Sequence, residues 1–373
     1  MRIVVTGGDG FLGRTLRLRL EELGHVDVAS ITRASSPEQW ESVFATADVV
    51  FHLAGVNRPV DPADFETGNA ALTRRVCDTL TAAGRRATLV LSSSTQAVLD
   101  NPYGRSKAEA ERAVLHYAEC TGARGCILRF PNIFGKWARP NYNSAVASFC
   151  HNLARGQPIT IHDPDAPLRL VYVDDVVAQL LALLPPSTMN GQVTVGTVHE
   201  TTVGAVASML REIAEIPRTL TVPRVGAGLA RALYATFVSY LPPTAFAYAL
   251  RRHEDARGSF AEMLRTTDSG QFSYFTARPG VTRGGHYHHT KAEKFLVVQG
   301  RARFGFRHII TGERHALEVD GRSPQVIETV PGWVHDVTNT GEDEMIVLLW
   351  ANETFDPQRP DTVAASVSPE LAP

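Results

Sequence analysis

Cysteine is scarce in this sequence and is absent from its second half. Only four of the 373 residues are cysteine, all lie within the first 150, and none of them has the Cys-x-x-Cys spacing of redox and zinc motifs. We therefore expect no disulfide framework. Any metal site beyond residue 150 has to be built from His, Glu or Asp side chains.

The sequence also lacks a strong net charge, a long basic run and a long apolar run. Lys and Arg total 37 against 39 Asp and Glu, which argues against a nucleic-acid partner. The most apolar stretch, 225–250, is broken by Arg231 and Pro242 too early for a membrane span, so a packing helix is favoured over a membrane-surface helix. Residues 2–6 read as a strand and not as a signal peptide. We expect a cytoplasmic protein without stable membrane insertion.

The length predicts two or three domains, at about 100–200 residues per domain. Over the first two hundred residues, short apolar runs alternate with helix-length segments, which is typical of βαβ units in a doubly wound parallel sheet. The strands predicted in this region are 2–6, 26–32, 47–53, 87–92 and 125–130.

Beyond about residue 255, closely spaced strands separated by Gly and Pro turns predict a compact antiparallel barrel or sandwich. The strands predicted there are 272–277, 294–298, 302–308, 315–319, 326–330 and 345–350. The expected domains are 1–245, an α/β Rossmann-type domain, and 246–373, an all-β domain.

A glycine-rich loop follows the first predicted strand and opens a predicted helix. Gly7 permits a tight turn, Gly10 lets the backbone approach a pyrophosphate, and Gly13 allows close helix–sheet packing. The helix N-terminus at Phe11 and Leu12 offers unpaired N–H groups to phosphates. The pattern predicts a dinucleotide site rather than a purely structural turn.

Arg33 follows the second predicted strand, where an Asp or Glu would hold the ribose 2′-hydroxyl of NAD. A guanidinium suits a 2′-phosphate instead, which favours NADP(H) over NAD(H). The alternative is an arginine that is merely exposed to solvent.

Tyr103 and Lys107 are spaced i, i+4 and therefore share one face of a predicted helix. The run 92–95, Ser-Ser-Ser-Thr, closes a strand just upstream. A serine could polarise a ketone, Tyr103 could deliver a proton, and Lys107 could favour the phenolate and hold a ribose hydroxyl.

With these motifs in this order, the sequence over about 1–245 resembles the extended short-chain dehydrogenase/reductase family. The segments 52–55 and 65–69 match family signatures near the cofactor. The cofactor-binding residues expected from the loop, from Arg33 and from this resemblance are Gly7, Gly10, Phe11, Leu12, Gly13, Arg33, Leu53, Ala54, Gly55, Asn69, Tyr103 and Lys107.

The same resemblance implies further site residues. The third serine of the strand-terminal run is usually catalytic in the family, which indicates Ser94 ahead of Thr95. Asn132 matches a substrate contact beside the nicotinamide. Arg169 matches an arginine that often binds a nucleotide-sugar diphosphate, the alternative being a surface ion pair. The family's Asp after this arginine is Leu170 here.

A histidine cluster stands out in the second half. The spacing from Gly280 to Gly300 fits the first cupin motif, and 331–339 approximates the second. Alternation along a strand sends His286 and His288 to one face. Three imidazoles and a carboxylate suit Zn, Mn, Fe or Ni, with zinc the expected ion. The expected ligands are His286, His288, Glu293 and His335. The alternative is a barrel that has lost its metal.

Both halves together resemble capsular-polysaccharide enzymes of the CapF type over nearly the whole chain. The strings that carry this resemblance are 52–59, 135–137, 140–144 and 269–273. That family acts on UDP-2-acetamido-2,6-dideoxy-4-hexulose, a UDP-linked deoxy-keto-amino sugar, in the route to UDP-N-acetyl-L-fucosamine. The resemblance implies epimerisation of C3 at the metal, then reduction of C4 with NADPH to a UDP-6-deoxy-L-talosamine-type product, and a homodimer.

Two other readings stay open at this point. One is a nucleotide-sugar reductase or epimerase whose cupin only binds sugar or mediates dimerisation. The other is an NADP(H)-sensing regulator, which the predicted proton-transfer residues disfavour. The base for epimerisation is not assigned; Tyr287, Lys294 and Asp336 lie near the motif.

Overall fold

The structure is a computed structural model that describes residues 1–250, 252–255, 258–261, 264–266, 270–353 and 358–368. The strands are β1 (Ile3–Thr6), β2 (Val28–Ile31), β3 (Val49–His52), β4 (Thr88–Ser94), β5 (Gly125–Phe130), β6 (Asn132–Phe134), β7 (Pro167–Tyr172), β8 (Gly191–Val193), β9 (His199–Thr202), β10 (Thr221–Val222), β11 (Ala247–Ala249), β12 (Arg252–Asp255), β13 (Gly258–Ala261), β14 (Arg265–Thr266), β15 (Gln271–Ala277), β16 (Thr282–Tyr287), β17 (Glu293–Gln299), β18 (Arg301–His308), β19 (Arg314–Asp320), β20 (Gln325–Thr329), β21 (Trp333–Asn339), β22 (Met345–Ala351) and β23 (Val363–Ala364). The α-helices are α1 (Phe11–Glu22), α2 (Pro37–Phe44), α3 (Leu72–Ala82), α4 (Pro102–Thr121), α5 (Ala145–Leu153), α6 (Val173–Leu181), α7 (Val203–Ala214), α8 (Ile216–Thr219) and α9 (Gly228–Val238).

The chain forms two compact units. The first comprises 1–134, 141–144 and 167–201, and the second comprises 135–140, 145–166 and 202–373. The helices α5, α7 and α9 therefore belong to the same unit as the C-terminal strands. The expected division of the chain into contiguous domains at residue 245 stays a prediction beside this grouping.

The first unit is built on a six-stranded sheet with the order β2-β1-β3-β4-β5-β8. All of its strand pairs are parallel. This confirms the predicted Rossmann-type sheet, and the predicted strands agree with the observed bounds to within two residues. Parallel strands are buried on both faces, which explains the continuous apolar runs that mark them in the sequence. Their carboxyl ends meet at one edge, where ligands bind in such sheets.

The second unit contains two five-stranded sheets, β11-β20-β17-β22-β15 and β19-β18-β21-β16-β23. Their pairings are antiparallel. Phe295 and Val347 from one sheet and Phe304 and Val337 from the other belong to a common buried cluster. The predicted antiparallel, β-rich architecture is confirmed. Within the string 269–273, Ser269 lies outside the described residues.

The apolar stretch 225–250 contains α9, which packs with α5 and α7 in the second unit. This is the packing helix that the sequence favours. Among the residues that the structure describes, no helix combines enough length and apolar character to cross a membrane.

Candidate functional site

The glycine loop lies between β1 and α1, as the sequence predicts. Gly7 has a φ of +68°, and a Cβ there would lie 2.8 Å from the Cα atom of Ala54. Only glycine fits this turn without strain. Gly10 is the N-cap of α1 without a side-chain cap, and no acidic side chain lies in the first helical turn. The N–H groups at the N-terminus of α1 are therefore not capped by a side chain, and the positive end of the helix dipole lies there. Both features suit the binding of a phosphate.

Arg33 is exposed and lies just beyond the carboxyl end of β2. Because β2 pairs in parallel with β1, the chain beyond β2 leaves the sheet at the edge that carries the glycine loop. This placement is compatible with contact to the adenosine end of a dinucleotide.

Asn69 shapes the loop that follows β3. Its amide oxygen accepts from the Val56 N–H at 2.9 Å, and its amide nitrogen donates to the Val56 carbonyl at 2.9 Å and to Ser106 Oγ at 3.1 Å. A Cβ on Gly55 would lie 3.3 Å from Lys107 Nζ, so glycine allows this loop to approach the lysine closely. Leu53 and Ala54 lie in the same loop, which the structure places beside the glycine turn.

Ser94, Tyr103 and Lys107 come together where β4 ends and α4 begins. Ser94 Oγ accepts from the Gln96 N–H at 3.1 Å. Lys107 Nζ donates to the Ser92 carbonyl at 3.2 Å and lies 5.9 Å from the centre of the Tyr103 ring. The Asn101 side chain caps α4 by accepting from the Gly104 N–H, which fixes the turn that presents Tyr103.

Burial sets the protonation of these groups. It raises the pKa of the Tyr103 phenol, with hydrogen bonding to Ser94 acting in the opposite direction. Tyr103 therefore holds its proton at neutral pH, as a proton donor must. Burial lowers the pKa of Lys107 to about 8, and the charge of Glu111 partly opposes this. Lys107 stays mostly cationic at pH 7.

A buried network behind these residues was not singled out from the sequence. The Glu111 carboxylate accepts from Ser93 Oγ at 2.5 Å and from Arg129 Nε and Nη2 at 2.8 and 2.6 Å. It ties the end of β4 to α4 and β5. The i, i+4 spacing of Lys107 and Glu111 on α4 could have indicated from the sequence that these two side chains are neighbours. No sequence pattern indicates the contact between Glu111 and Arg129.

Asn132 and Arg169 lie on neighbouring strands. Asn132 is exposed at the start of β6 and is in register with Leu170, the residue after Arg169. Arg169 Nε lies 3.3 Å from Glu200 Oε1, and both side chains are more than half exposed. The surface ion pair that the sequence offered as an alternative is therefore present, although such an exposed pair contributes little to stability.

The four predicted metal ligands converge in the second unit. One ligand atom from each of His286, His288, Glu293 and His335 lies within 4.8 Å of the others. His286 lies on β16, Glu293 on β17 and His335 on β21, while His288 directly follows β16. His286 is in register with His335. Glu293 Oε2 lies 3.0 Å from His288 Nε2 and 3.5 Å from His335 Nε2. Two ligands about 2.0–2.1 Å from one tetrahedral ion stand about 3.3 Å apart, so these separations suit a shared cation.

Hydrogen bonding shows that this donor set fits a cation. His288 Nδ1 contacts the Asp361 carbonyl oxygen, which can only accept, so the Nδ1 proton is donated there. A neutral His288 then presents an unprotonated Nε2 to a carboxylate oxygen. Both ring nitrogens of His335 are buried and have no hydrogen-bond partner among the described residues. A cation between these acceptors would satisfy them together.

The lowered pKa values of His286 and His335 favour neutral rings at these two positions. Burial, reinforced by the other two rings, lowers the pKa of His286 to about 3. Burial also lowers the pKa of His335. Neutral imidazoles and an ionised carboxylate are the forms that bind a divalent cation.

The three residues near the motif that the sequence offered as bases do not face this cluster. Tyr287, Lys294 and Asp336 each follow a ligand directly along a strand, and alternation turns them to the opposite face. Lys294 instead makes a buried ion pair with Glu328.

Lys291 is the cationic side chain that the sequence reading missed. Its Nζ lies 3.1 Å from Glu293 Oε1, the oxygen that does not face the histidines. It belongs to the loop between His288 and β17, where no periodic pattern marks a direction. Its position two residues before a predicted ligand was the available signal.

Comparisons with known proteins agree with this two-part architecture. Residues 3–196 match the NAD dependent epimerase/dehydratase family, and residues 253–363 match the polysaccharide biosynthesis C-terminal domain. The chain is 49% identical over 368 residues to the UDP-2-acetamido-2,6-beta-L-arabino-hexul-4-ose reductase of Pseudomonas aeruginosa, which covers 98% of this chain and 99% of the relative.

Solved structures resemble the chain as well. The crystal structure of capsular polysaccharide assembling protein CapF from Staphylococcus aureus superposes with a TM-score of 0.68 at 39% identity, covering 98% of this chain and 100% of that chain. The UDP-glucose 4-epimerase of Thermotoga maritima matches 57% of this chain and 82% of its own, with a TM-score of 0.50 and 24% identity. This second likeness concerns the fold alone.

Proposed function

Because the chain belongs to the NAD dependent epimerase/dehydratase family and, over its full length, to the CapF-type capsular polysaccharide enzymes, we propose that it reduces the C4 ketone of UDP-2-acetamido-2,6-dideoxy-L-4-hexulose. The observation that carries this proposal is the convergence of Ser94, Tyr103 and Lys107 at the carboxyl edge of the parallel sheet. A hydroxyl, a protonated phenol and a cation at that edge are the groups that ketone reduction needs.

In this proposal, Ser94 hydrogen-bonds the substrate carbonyl and Tyr103 donates the proton to the developing C4 alkoxide. Lys107 lowers the cost of leaving a phenolate behind, because its charge lies beside the ring. NADPH, bound along the glycine loop, would supply the hydride. Asn132 and Arg169 would hold the sugar and the diphosphate, since they lie on adjacent strands and both are exposed.

NADPH preference depends on Arg33 in this proposal. We expect Arg33→Ala to raise the KM for NADPH about tenfold and to leave the KM for NADH unchanged, because a hydrogen bond to a charged 2′-phosphate contributes about 1.5–3 kcal/mol and this site is exposed. Initial rates with each cofactor measure this. Arg86→Ala, on an exposed arginine at the amino end of β4, is the matched control. Equal changes with both cofactors would refute the assignment.

The second activity that we propose is epimerisation at C3, in a cupin-type domain within 246–373. A 4-keto group acidifies the C3 proton, so exchange at C3 needs stabilisation of negative charge on the C4 oxygen. A divalent cation, with zinc the expected ion, would supply Lewis-acid stabilisation of that charge. His286, His288, Glu293 and His335 would hold it, as their short separations and unpaired acceptor atoms support.

Deuterium exchange tests this second activity without involving reduction. In deuterated water without NADPH, the wild-type protein should incorporate deuterium at C3 of the 4-keto UDP-sugar. His288→Ala should slow this exchange about 100-fold, because it removes both a ligand and its link to Asp361. NMR of the recovered sugar measures the rate.

His315→Ala is the control for this experiment, since His315 lies in the same unit but outside the cluster. Exchange that is equally fast in His288→Ala would refute the metal-dependent role. The chain would then be a reductase whose C-terminal domain only binds sugar or mediates dimerisation. Homodimerisation remains part of the proposal on the strength of the family resemblance, and a cytoplasmic location remains a prediction.

A further inference from the structure

The C-terminal segment 358–368 lies against the strand that carries the first metal ligand. Within it, β23 pairs antiparallel with β16, so that His286 is in register with Ala364 and Tyr287 with Val363. The Ala365 N–H also donates to the Gly285 carbonyl at 3.0 Å. The segment therefore forms the edge of the sheet beside the cluster.

Asp361, just before β23, closes over the loop that follows His288. Its Oδ1 accepts from the His289 N–H at 2.8 Å. Its Oδ2 accepts from the Thr290 and Lys291 N–H groups at 2.6 and 2.7 Å and from Thr290 Oγ1 at 2.8 Å. Three successive N–H groups around one carboxylate form an anion-binding nest, and here the anion is supplied by the chain itself.

The backbone of the same residue acts on a ligand directly. The Asp361 carbonyl oxygen accepts the Nδ1 proton of His288, which fixes the tautomer and the ring orientation and leaves Nε2 for the cluster. One residue therefore holds both the His288 ring and the loop after it.

This loop also determines where Lys291 lies. Its N–H is bound by Asp361, while its Nζ reaches Glu293 Oε1 at 3.1 Å and Thr362 Oγ1 at 3.4 Å. The contact with Oε1 leaves Oε2 as the carboxylate oxygen nearest the histidine nitrogens. Without the Asp361 carboxylate, the three N–H groups of the loop would lose these hydrogen bonds. The side chains of His288 and Lys291 would then no longer be held in fixed positions.

We infer that Asp361 is a positioning residue of the metal centre and that the C-terminal segment completes that centre. The inference rests on the metal site proposed above. Asp361 is not one of the four clustered ligand residues. It holds His288 and Lys291 in the arrangement in which they meet Glu293.

Cobalt(II) binding to the full chain tests this inference. The visible absorption of bound Co²⁺, titrated in competition with a chelator, gives a dissociation constant without any substrate. We expect Asp361→Asn to weaken Co²⁺ binding about 10–100-fold, because outer-shell partners of metal ligands have effects of this size. The amide keeps the size of the side chain but places an N–H₂ group against backbone N–H donors.

Asp343→Asn is the matched control, since Asp343 is exposed in the same unit, and its Kd should equal that of the wild type. Melting of the metal-free proteins is measured in parallel. A purely structural role would lower the melting temperature and leave the Kd unchanged, which would overturn the inference. If Asp361→Asn does not fold, Asp361→Glu keeps the charge but displaces the carboxylate, and the same loss of affinity is expected.

The outcomes separate the two proposals. Failure of the wild type to bind Co²⁺ refutes the metal site itself and the inference with it. Tight binding by the wild type with an equal Kd for Asp361→Asn leaves the metal site standing and overturns only the role of Asp361.

Discussion

Replacing Tyr103 with phenylalanine is expected to lower NADPH-dependent reduction of the 4-keto UDP-sugar about 10²–10⁴-fold, the range that general acid catalysis contributes. The loss arises because phenylalanine has no hydroxyl group to give the alkoxide its proton. Burial keeps the pKa of the Tyr103 phenol raised, so the group is a proton donor across the neutral range. NADPH oxidation followed at 340 nm measures the effect.

The variant should retain the fold and the second activity. The Tyr103 ring packs against Phe65 at 5.4 Å between ring centres, and phenylalanine preserves that contact. Deuterium exchange at C3 should therefore proceed at the wild-type rate. Loss of both activities would mean that the two sites do not act independently.

Tyr117→Phe provides the matched control on the same helix. The Tyr117 hydroxyl donates to the Ala87 carbonyl at 3.0 Å, in the interior and at the opposite end of α4. Its removal costs about 1 kcal/mol of stability and should leave the rate of reduction unchanged. An equal loss of rate in both variants would refute the assignment of Tyr103 as the proton donor.

The second large effect concerns stability. Lys294→Met is expected to lower the free energy of unfolding by about 3–5 kcal/mol, because it leaves the buried Glu328 carboxylate without its cation. The two residues lie directly opposite each other on β17 and β20, and are 1% and 4% exposed. Urea denaturation followed by tryptophan fluorescence measures the change.

The surroundings of this pair explain the size of the effect. Burial would lower the pKa of Lys294, but Glu328 and the phenols of Tyr234 and Tyr248 raise it, so the lysine is cationic. Tyr248 hydroxyl lies 3.4 Å from Nζ. A pocket of about 130 Å³ adjoins these side chains, and its lining includes the apolar residues Leu153 and Phe237.

Double substitution and a surface pair serve as controls. Lys294→Met combined with Glu328→Leu should recover most of the lost stability, since apolar replacements of both partners are often neutral. Arg303→Met, in an exposed pair with Glu318, should cost no more than about 1 kcal/mol. A lysine acting as the C3 base would behave differently: the double variant would fold but lose deuterium exchange. Loss of deuterium exchange in the double variant would contradict our conclusion that Lys294 faces away from the cluster and does not act as the base.

The sequence by itself determined the parts of the protein that depend on local periodicity. The shared helical face of Tyr103 and Lys107 and the common direction of His286 and His288 follow from the repeat of a helix or a strand. The turn at Gly7 follows from the positive φ that glycine adopts without strain. Strand bounds followed from runs of apolar residues, because a parallel strand is buried on both faces. The full-length resemblance rests on the same local strings.

Tertiary structure decided the contacts between segments that are distant in the chain. Asp361 lies 73 residues from His288 and carries no local mark of its role. Lys291 gained its position from that contact, whereas Lys294, one residue from a predicted ligand, was turned away by strand alternation. The cysteine-free second half required a site of histidines and a carboxylate, and the sequence supplied the four residues. Their fixed orientation depends on which backbone groups fold back upon them, and hydrogen bonds of this range leave no pattern in sequence spacing.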